Sequence, residues 1–457
     1  MQNRSINRGA VLVVLLAAAA TASSALAQEA NFSTLYLFEA PAANTSTSAL
    51  GSQPDTTPAV GPDGAIYGMT TDGGQYGTGV IYRFDPDSHQ YTVLHTFSAT
   101  DANGDNADGA SPGNGLTRGP DDVFYGMAYD GGQNGTGTVF EITASGTFTV
   151  LHTFSALDAN GHNADGGAPL RTIVVGRDGN LYGTTRLGGE NSCGIAPFVK
   201  GCGVAWVMDR WGNNFKVIHQ FVQGEGHAAS LLQAQDGFLY GCGVWPGTST
   251  PSGAPLPSGI LFRMATSGSP FQVLYTFSQT DANGENTDGA DCYEPLVEAE
   301  PGVFYGAAGY GGSNGNGVVF RYSLRAPGMV DVVHDFSATT AGANWDGAGP
   351  DGPLALGPDR TLYSNADYGG MNGNGVIYSI RPDGFFEVLH TFSATNPTTG
   401  ANWDGVNPDD GVVLDGNKLI GIAIYGGNGS PAGLANSGGT LYELRLYESG
   451  YGGKGQP

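Results

Sequence analysis

Along almost the whole chain, apolar and polar positions alternate over short runs, and no segment after residue 27 keeps a 3.6-residue apolar period. The runs are rich in β-branched and aromatic residues and are bounded by Gly, Asp and Asn, so the pattern predicts short strands joined by tight turns. Four runs recur in a fixed order: an apolar stretch ending in a turn such as Pro62-Asp63-Gly64, an aromatic-Gly run, a Val-Ile-Tyr or Val-Val-Phe run, and a run such as Val93-Leu94-His95-Thr96-Phe97. The aromatic-Gly run appears as Ile66-Tyr67-Gly68, Phe124-Tyr125-Gly126, Leu181-Tyr182-Gly183, Leu239-Tyr240-Gly241 and Phe304-Tyr305-Gly306. It recurs with one change as Leu362-Tyr363-Ser364 and Leu419-Ile420-Gly421. Successive spacings are 58, 57, 58, 65, 58 and 57 residues, so seven units of one kind fill the chain.

Four short antiparallel strands in a repeat of this length describe a propeller blade. The seventh unit stops after its third strand, Thr440-Leu441-Tyr442-Glu443-Leu444, while an unpaired fourth strand, Thr34-Leu35-Tyr36-Leu37-Phe38, stands near the start. Phe38 to Tyr67 is 29 residues, against 28 from Phe97 to Tyr125, so this strand is in phase with the others. The expected fold is all-β: a seven-bladed β-propeller of four-stranded blades, its ring closed by the N-terminal strand completing blade 7. Closure removes open sheet edges. The predicted boundaries are a signal peptide over 1–27, the propeller over 28–447 and a polar tail over 448–457. Blade cores are expected near 58–97, 112–154, 169–221, 228–277, 292–336, 350–392 and 408–446 plus 33–38.

The repeat resembles the GloVer tandem-repeat family, whose units carry Leu-Tyr-Gly-Thr-Thr, Gly-Gly and Gly-Thr-Val-Phe. Blade 2 has Phe124-Tyr125-Gly126, Gly131-Gly132 and Gly135-Thr136-Gly137-Thr138-Val139-Phe140, and blade 3 has Leu181-Tyr182-Gly183-Thr184-Thr185. The resemblance covers all seven units and implies a surface or secreted protein without an agreed activity. The family's variable anchoring end is replaced here by a short polar tail, which favours a released or periplasmic protein.

Composition narrows the partners. With 42 Asp+Glu against 18 Lys+Arg, the formal charge is −24, yet only 13% of residues are charged. Such a surface repels phosphates and offers no basic stripe, so nucleic acid is excluded as a partner. Arg4 and Arg8, the apolar run Val11 to Ala20 and Ala25-Leu26-Ala27 form a signal peptide. Its apolar run is too short to span a bilayer, so no membrane span is expected, and the protein is read as a secreted or periplasmic monomer. Four cysteines in an exported chain pair as two disulfides, Cys193 with Cys202 and Cys242 with Cys292.

Candidate chemistry falls on one face, where the links between blades and those between second and third strands emerge. Length variation concentrates there: Glu190 to Lys200, Pro246 to Ser258 and Asn428 to Asn436. The Gly-Gly-x-x-Gly-x-Gly loops, such as Gly73-Gly74 to Gly79, precede strands and not helices, so they are hairpin turns and not nucleotide loops. The interblade loops Asp101-Ala102-Asn103-Gly104-Asp105-Asn106-Ala107-Asp108 and Asp281-Ala282-Asn283-Gly284-Glu285-Asn286-Thr287-Asp288 space their oxygens as calcium loops do. The Ca²⁺ candidates are therefore Asp101, Asn103, Asp105 and Asp108, and Asp281, Asn283, Glu285 and Asp288.

His95, His152, His219, His334 and His390 occupy one repeated strand position and read as packing. Against them stand residues that do not repeat on the varied face: His227, Arg171, Arg186, Tyr293 and Glu294, the catalytic shortlist. Trp345, Trp403, Tyr129, Tyr310, Tyr368 and Tyr425 are ligand-binding candidates, since flat rings among polar groups suit sugar faces. The expected partner is a glycan or cell-surface polysaccharide held by a binding or scaffold propeller. The alternative is a carbohydrate-active enzyme, most plausibly a propeller-type polysaccharide lyase. There His227 or Tyr293 would take a proton, and Arg171 or Arg186 would neutralise a uronate carboxylate.

Overall fold

A computed structural model describes residues 31–40, 47–193, 201–244, 258–427 and 437–446. The expected signal peptide, the expected polar tail and most of the three varied loops, residues 194–200, 245–257 and 428–436, lie outside these. Seven four-stranded antiparallel sheets account for the repeats. In blade 2 the strands run Ala110–Arg118, Val123–Asp130, Thr138–Thr143 and Phe148–Thr153, each paired with the next. Blade 7 takes Val406–Asp415, Lys418–Tyr425 and Thr440–Arg445 from one end of the chain and Asn31–Leu37 from the other. Thr34 faces Tyr442 across the closing pair, as the phase of the repeat predicts.

The motif residues explain themselves in this register. Gly126 faces Phe140, and a Cβ on Gly126 would sit 2.5 Å from that ring; the glycine lets the third-strand aromatic lie flat across the second strand. The tyrosine beside it reaches back to the preceding turn, with Tyr182 donating to Asp178 at 2.6 Å and Tyr240 to Asp236 at 2.7 Å.

Seven buried apolar clusters form the core, and each lies between two neighbouring blades rather than within one. A blade alone is therefore unstable, and the ring is the cooperative unit. The cluster joining Phe38, Ile420 and Leu441 to Ile66 and Tyr82 seals blade 7 against blade 1.

At the rim, each fourth-strand histidine binds an acid from the following interblade loop: His95 with Asp108 at 2.9 Å, His334 with Asp346 at 3.1 Å and His390 with Asp404 at 3.0 Å. The opposite side of each ring stacks on the next blade's fourth strand, as His95 does on Phe148 and His390 on Phe32. Between blades 3 and 4 the link is shorter, and Glu225 takes the aspartate's place on His219 at 2.9 Å. Both expected disulfides are formed. Cys242–Cys292 ties the second strand of blade 4 to the head of blade 5. Among the described residues, no helix is long and apolar enough to cross a membrane.

Candidate functional site

The first strand of most blades enters from the varied face through a kink. Gln53, Ser111, Ala168 and Asn407, each preceding a proline, have φ of 54°, 49°, 50° and 53°, and Asp291 has 58° before Cys292. Pairing with the second strand then slips between Gly113 and Thr117, Leu170 and Val174, Ala228 and Leu231, and Asp409 and Val412. Bulges bend a strand and re-aim its side chains. Residues just beyond the kink thus turn into the central channel, and Arg171 itself takes φ 60°, a conformation uncommon for a side chain of its size.

The channel mouth holds a cavity of about 390 Å³ whose lining includes Arg171, Arg186, His227 and Tyr293. Four of the five shortlisted side chains therefore share one cavity, and Glu294 lies directly behind, bound to Arg171. The Arg171 guanidinium is 2.5 Å from Glu294 and 3.3 Å from Asp410, linking blade 3 to blades 5 and 7 across the channel. Its centre stands 5.4 Å from the Tyr293 ring centroid, within cation–π range. Burial alone would weaken its charge, but Glu294, Asp351 and Asp410 hold it firmly protonated.

His227 is 1% exposed, and its Nε2 has no hydrogen-bond partner. Burial, with Arg186 adding, pushes this imidazole down to about 3, so it is neutral at physiological pH. Burial and then Asp291 push the Tyr293 phenol up to about 12.

The cavity is also lined by four acids that the repeat pattern does not single out: Asp55, Asp351, Asp409 and Asp410. Burial followed by Asp409 pushes Asp55 up to about 7. Asp351 rises to about 6, mostly from burial, with Arg171 opposing and Asp409 adding. Asp291 rises to about 7 through burial and then Asp351, and burial raises Asp410 and Asp367 well above the carboxylate range. The signal was present as Pro54-Asp55, Pro350-Asp351 and Pro408-Asp409, one register position in three consecutive blades around the closed ring. These pairs look like turns until the kink is seen.

A second cavity of about 510 Å³ shares Asp351 and Asp409 with the first and continues past Asp367 to Tyr310 and Tyr368. The two make one cleft, basic at blade 3, acidic at the centre and aromatic at blades 5 and 6. Tyr310 and Tyr368 are 57% and 52% exposed, so their rings stand free at its edge. Tyr129 lines the first cavity, and Tyr425 is half-buried beside Asp55 and Asp409.

The tryptophans are elsewhere. Trp345 packs edge-on against His334 and Phe386, and Trp403 against His390 and Phe32, which puts both at the outer rim with the fourth strands. The proposed calcium loops fit a cation only in part. At position eight, Asp108 is taken by His95, the Ser98 N–H and the Ser98 hydroxyl, and Asp288 by Tyr275 and Ser278. Asp101 and Asp281 accept backbone N–H groups within their own loops. That leaves Asn103, Asp105, Asn283 and Glu285 as the side chains not drawn inward by these contacts. Among the described residues, no group of three or more His, Cys, Asp or Glu side chains has metal-holding geometry.

Residues 25–197 and 196–435 match the family described as the Gloeobacter/Verrucomicrobia repeat. The chain belongs to that family. No curated protein matches it. Among solved structures, virginiamycin B lyase from Staphylococcus aureus is similar with a TM-score of 0.52 at 12% identity, over 92% of this chain and 100% of that one. An oligogalacturonate lyase in complex with manganese has a TM-score of 0.46 at 14% identity, over 92% and 97%. A puromycin-hydrolyzing peptidase from Mycobacterium tuberculosis has 0.48 at 11%, over 85% and 53%. The likeness to the first of these, at 12% identity, is one of fold.

Proposed function

We propose that this member of the repeat family is an exported glycan-binding propeller, with the ligand lying in the cleft that joins the two cavities. The observation that carries the reading is the sequence of surfaces along one cleft: the exposed rings of Tyr310 and Tyr368 open onto a floor of carboxyl, imidazole and guanidinium groups. Flat rings cover the apolar face of a pyranose while polar groups meet its hydroxyls. The two disulfides suit an oxidising compartment.

Binding is favoured over the lyase alternative by the state of the candidate bases. An imidazole held at about 3 and a phenol near 12 are both far from the range in which a base is half-ready at neutral pH. A uronate would also have to enter beside Asp55, Asp351 and Asp409. One observation favours enzymatic action of another kind: carboxyls raised to between about 6 and about 7 are what general-acid cleavage of a glycosidic bond uses.

Titration calorimetry against neutral, acidic and aminated oligosaccharides tests the reading, with new reducing and unsaturated ends assayed in the same samples. Tyr310→Ala with Tyr368→Ala is expected to weaken binding by about tenfold to a hundredfold, the scale of losing two ring contacts. Unchanged affinity in that variant rejects the cleft as the glycan site, and product formation moves the assignment to an enzyme.

A further inference from the structure

The cleft has more acid than its own cations can neutralise. Arg171 is already committed to Glu294 and Asp410. Arg186 lies on the blade 3 side and forms no ion pair among the described residues. Asp351 and Asp409, which line both cavities, Asp55 in the first and Asp367 in the second therefore have no ion-pair partner of their own among the described residues. Two groups beside this space are buried without a hydrogen-bond partner: the Nε2 of His227, a residue 1% exposed that lines the first cavity, and the Oδ1 of Asp367, a residue 7% exposed that lines the second. Leaving buried polar atoms unpaired costs stability, and each such atom calls for a reason. The acids are distributed around a channel and not gathered at a point, which suits a hydrogen-bonding organic cation better than a metal ion.

Resting on the glycan reading, we infer that the cleft selects saccharides carrying a free amino group, with the ammonium seated between Asp351 and Asp409 at the junction of the cavities. The sugar ring then extends toward Tyr310 and Tyr368, and its hydroxyls reach His227 and Arg186. The raised carboxyls are consistent with this: an arriving cation restores their charge and displaces protons into solution.

The test is calorimetry with the intact protein and three probes: a β-1,4-linked glucosamine tetramer, its N-acetylated counterpart and cellotetraose. The glucosamine tetramer is expected to bind about tenfold to a hundredfold more tightly than the other two, the value of a charge-assisted hydrogen bond, and to release protons at pH 6.5. The double variant Asp351→Asn with Asp409→Asn should lose that preference, bringing the affinity for the glucosamine tetramer down to that for its N-acetylated counterpart. Both changes are isosteric and remove crowded charge, so the fold is expected to persist, which circular dichroism checks. Equal affinity for the three probes, or a preference that survives the double variant, overturns the ammonium site and leaves the glycan reading intact. Putrescine separates the two ideas: if putrescine binds, is lost in the double variant, and no oligosaccharide binds, the glycan reading fails and the cation site stands. If neither putrescine nor any oligosaccharide binds, both fall.

Discussion

At the rim, each fourth-strand histidine has an acid of its own: His95 has Asp108, His152 has Asp165, His219 has Glu225, His334 has Asp346 and His390 has Asp404. In the channel, Asp55, Asp351, Asp367 and Asp409 share two arginines, one already bound elsewhere. Rim and channel are built from the same repeat, a few residues apart in sequence. The rim repeats its partners around the ring and satisfies them. The channel departs from the repeat and leaves charge unbalanced. In a repeat protein, an unbalanced position recurring in only some units is the better pointer to a ligand, because a purely structural position would be satisfied in every unit.

The contrast can be broken most forcefully at the point where the channel does satisfy itself. Arg171→Ala leaves the buried Glu294 and Asp410 carboxyls without their shared partner and should cost about 3–5 kcal/mol in chemical denaturation. Adding Glu294→Gln should recover part of that loss. If Arg171→Ala is neutral, the strut contributes nothing and the channel is no different from the rim.

A rim latch should cost less. Asp346 is fully buried and accepts from His334 and from both the backbone and the hydroxyl of Ser337, so Asp346→Ala should lose about 1–3 kcal/mol. Because the latches repeat, Asp404→Ala should lose a similar amount, and a large inequality between the two would show that the rim is less uniform than its geometry.

The smallest effect, and the sharpest, is a difference of sign with pH. Burial raises Asp108, Asp165 and Asp346, but hydrogen bonds from His95, His152 and His334 and from the adjoining serines outweigh it and hold all three below the ordinary carboxylate value. Their contribution is complete above about pH 4 and lost as pH falls through the depressed values. Asp55 and Asp351 are raised to about 7 and about 6. Their contribution is present below about pH 4 and declines as pH climbs to about 7. Denaturation midpoints between pH 4 and pH 8 should therefore fall gently with rising pH, and Asp351→Asn with Asp409→Asn should flatten that slope. A slope unaffected by the double variant would place its origin in groups other than Asp351 and Asp409.

How much of this was readable from residues alone depends on repetition. Tyr67, Tyr125 and Tyr182 recur at nearly constant spacing, so blade number, strand order and the closing strand followed from phase. The single copies His227, Arg171, Arg186 and Tyr293 stood out because they broke that phase, and the structure gathers them in one cavity. Asp55, Asp351 and Asp409 did not stand out, since Pro-Asp is ordinary turn chemistry and the left-handed residues that rotate these acids inward leave no compositional trace. Trp345 and Trp403 were grouped with Tyr310 and Tyr368 because all four sit in loops of one face. Distance from the axis separates them, and radius is not written in a linear pattern. Asp108 and Asp288 looked like calcium ligands for a related reason: their spacing is visible, but the histidine or tyrosine that claims each carboxylate comes from a strand earlier in the chain.

The closing pair has a consequence for biosynthesis. Thr34 meets Tyr442, so the fourth strand of blade 7 is made about 400 residues before its partner. At 5–20 residues per second this is roughly 20–80 s during which Asn31–Leu37 has no sheet to join. Every other blade can assemble from neighbouring segments as they appear, but the ring stays an open arc with a bare edge at each end until Thr440–Arg445 is complete. The last strand made is thus the one that turns a row of blades into a single cooperative ring.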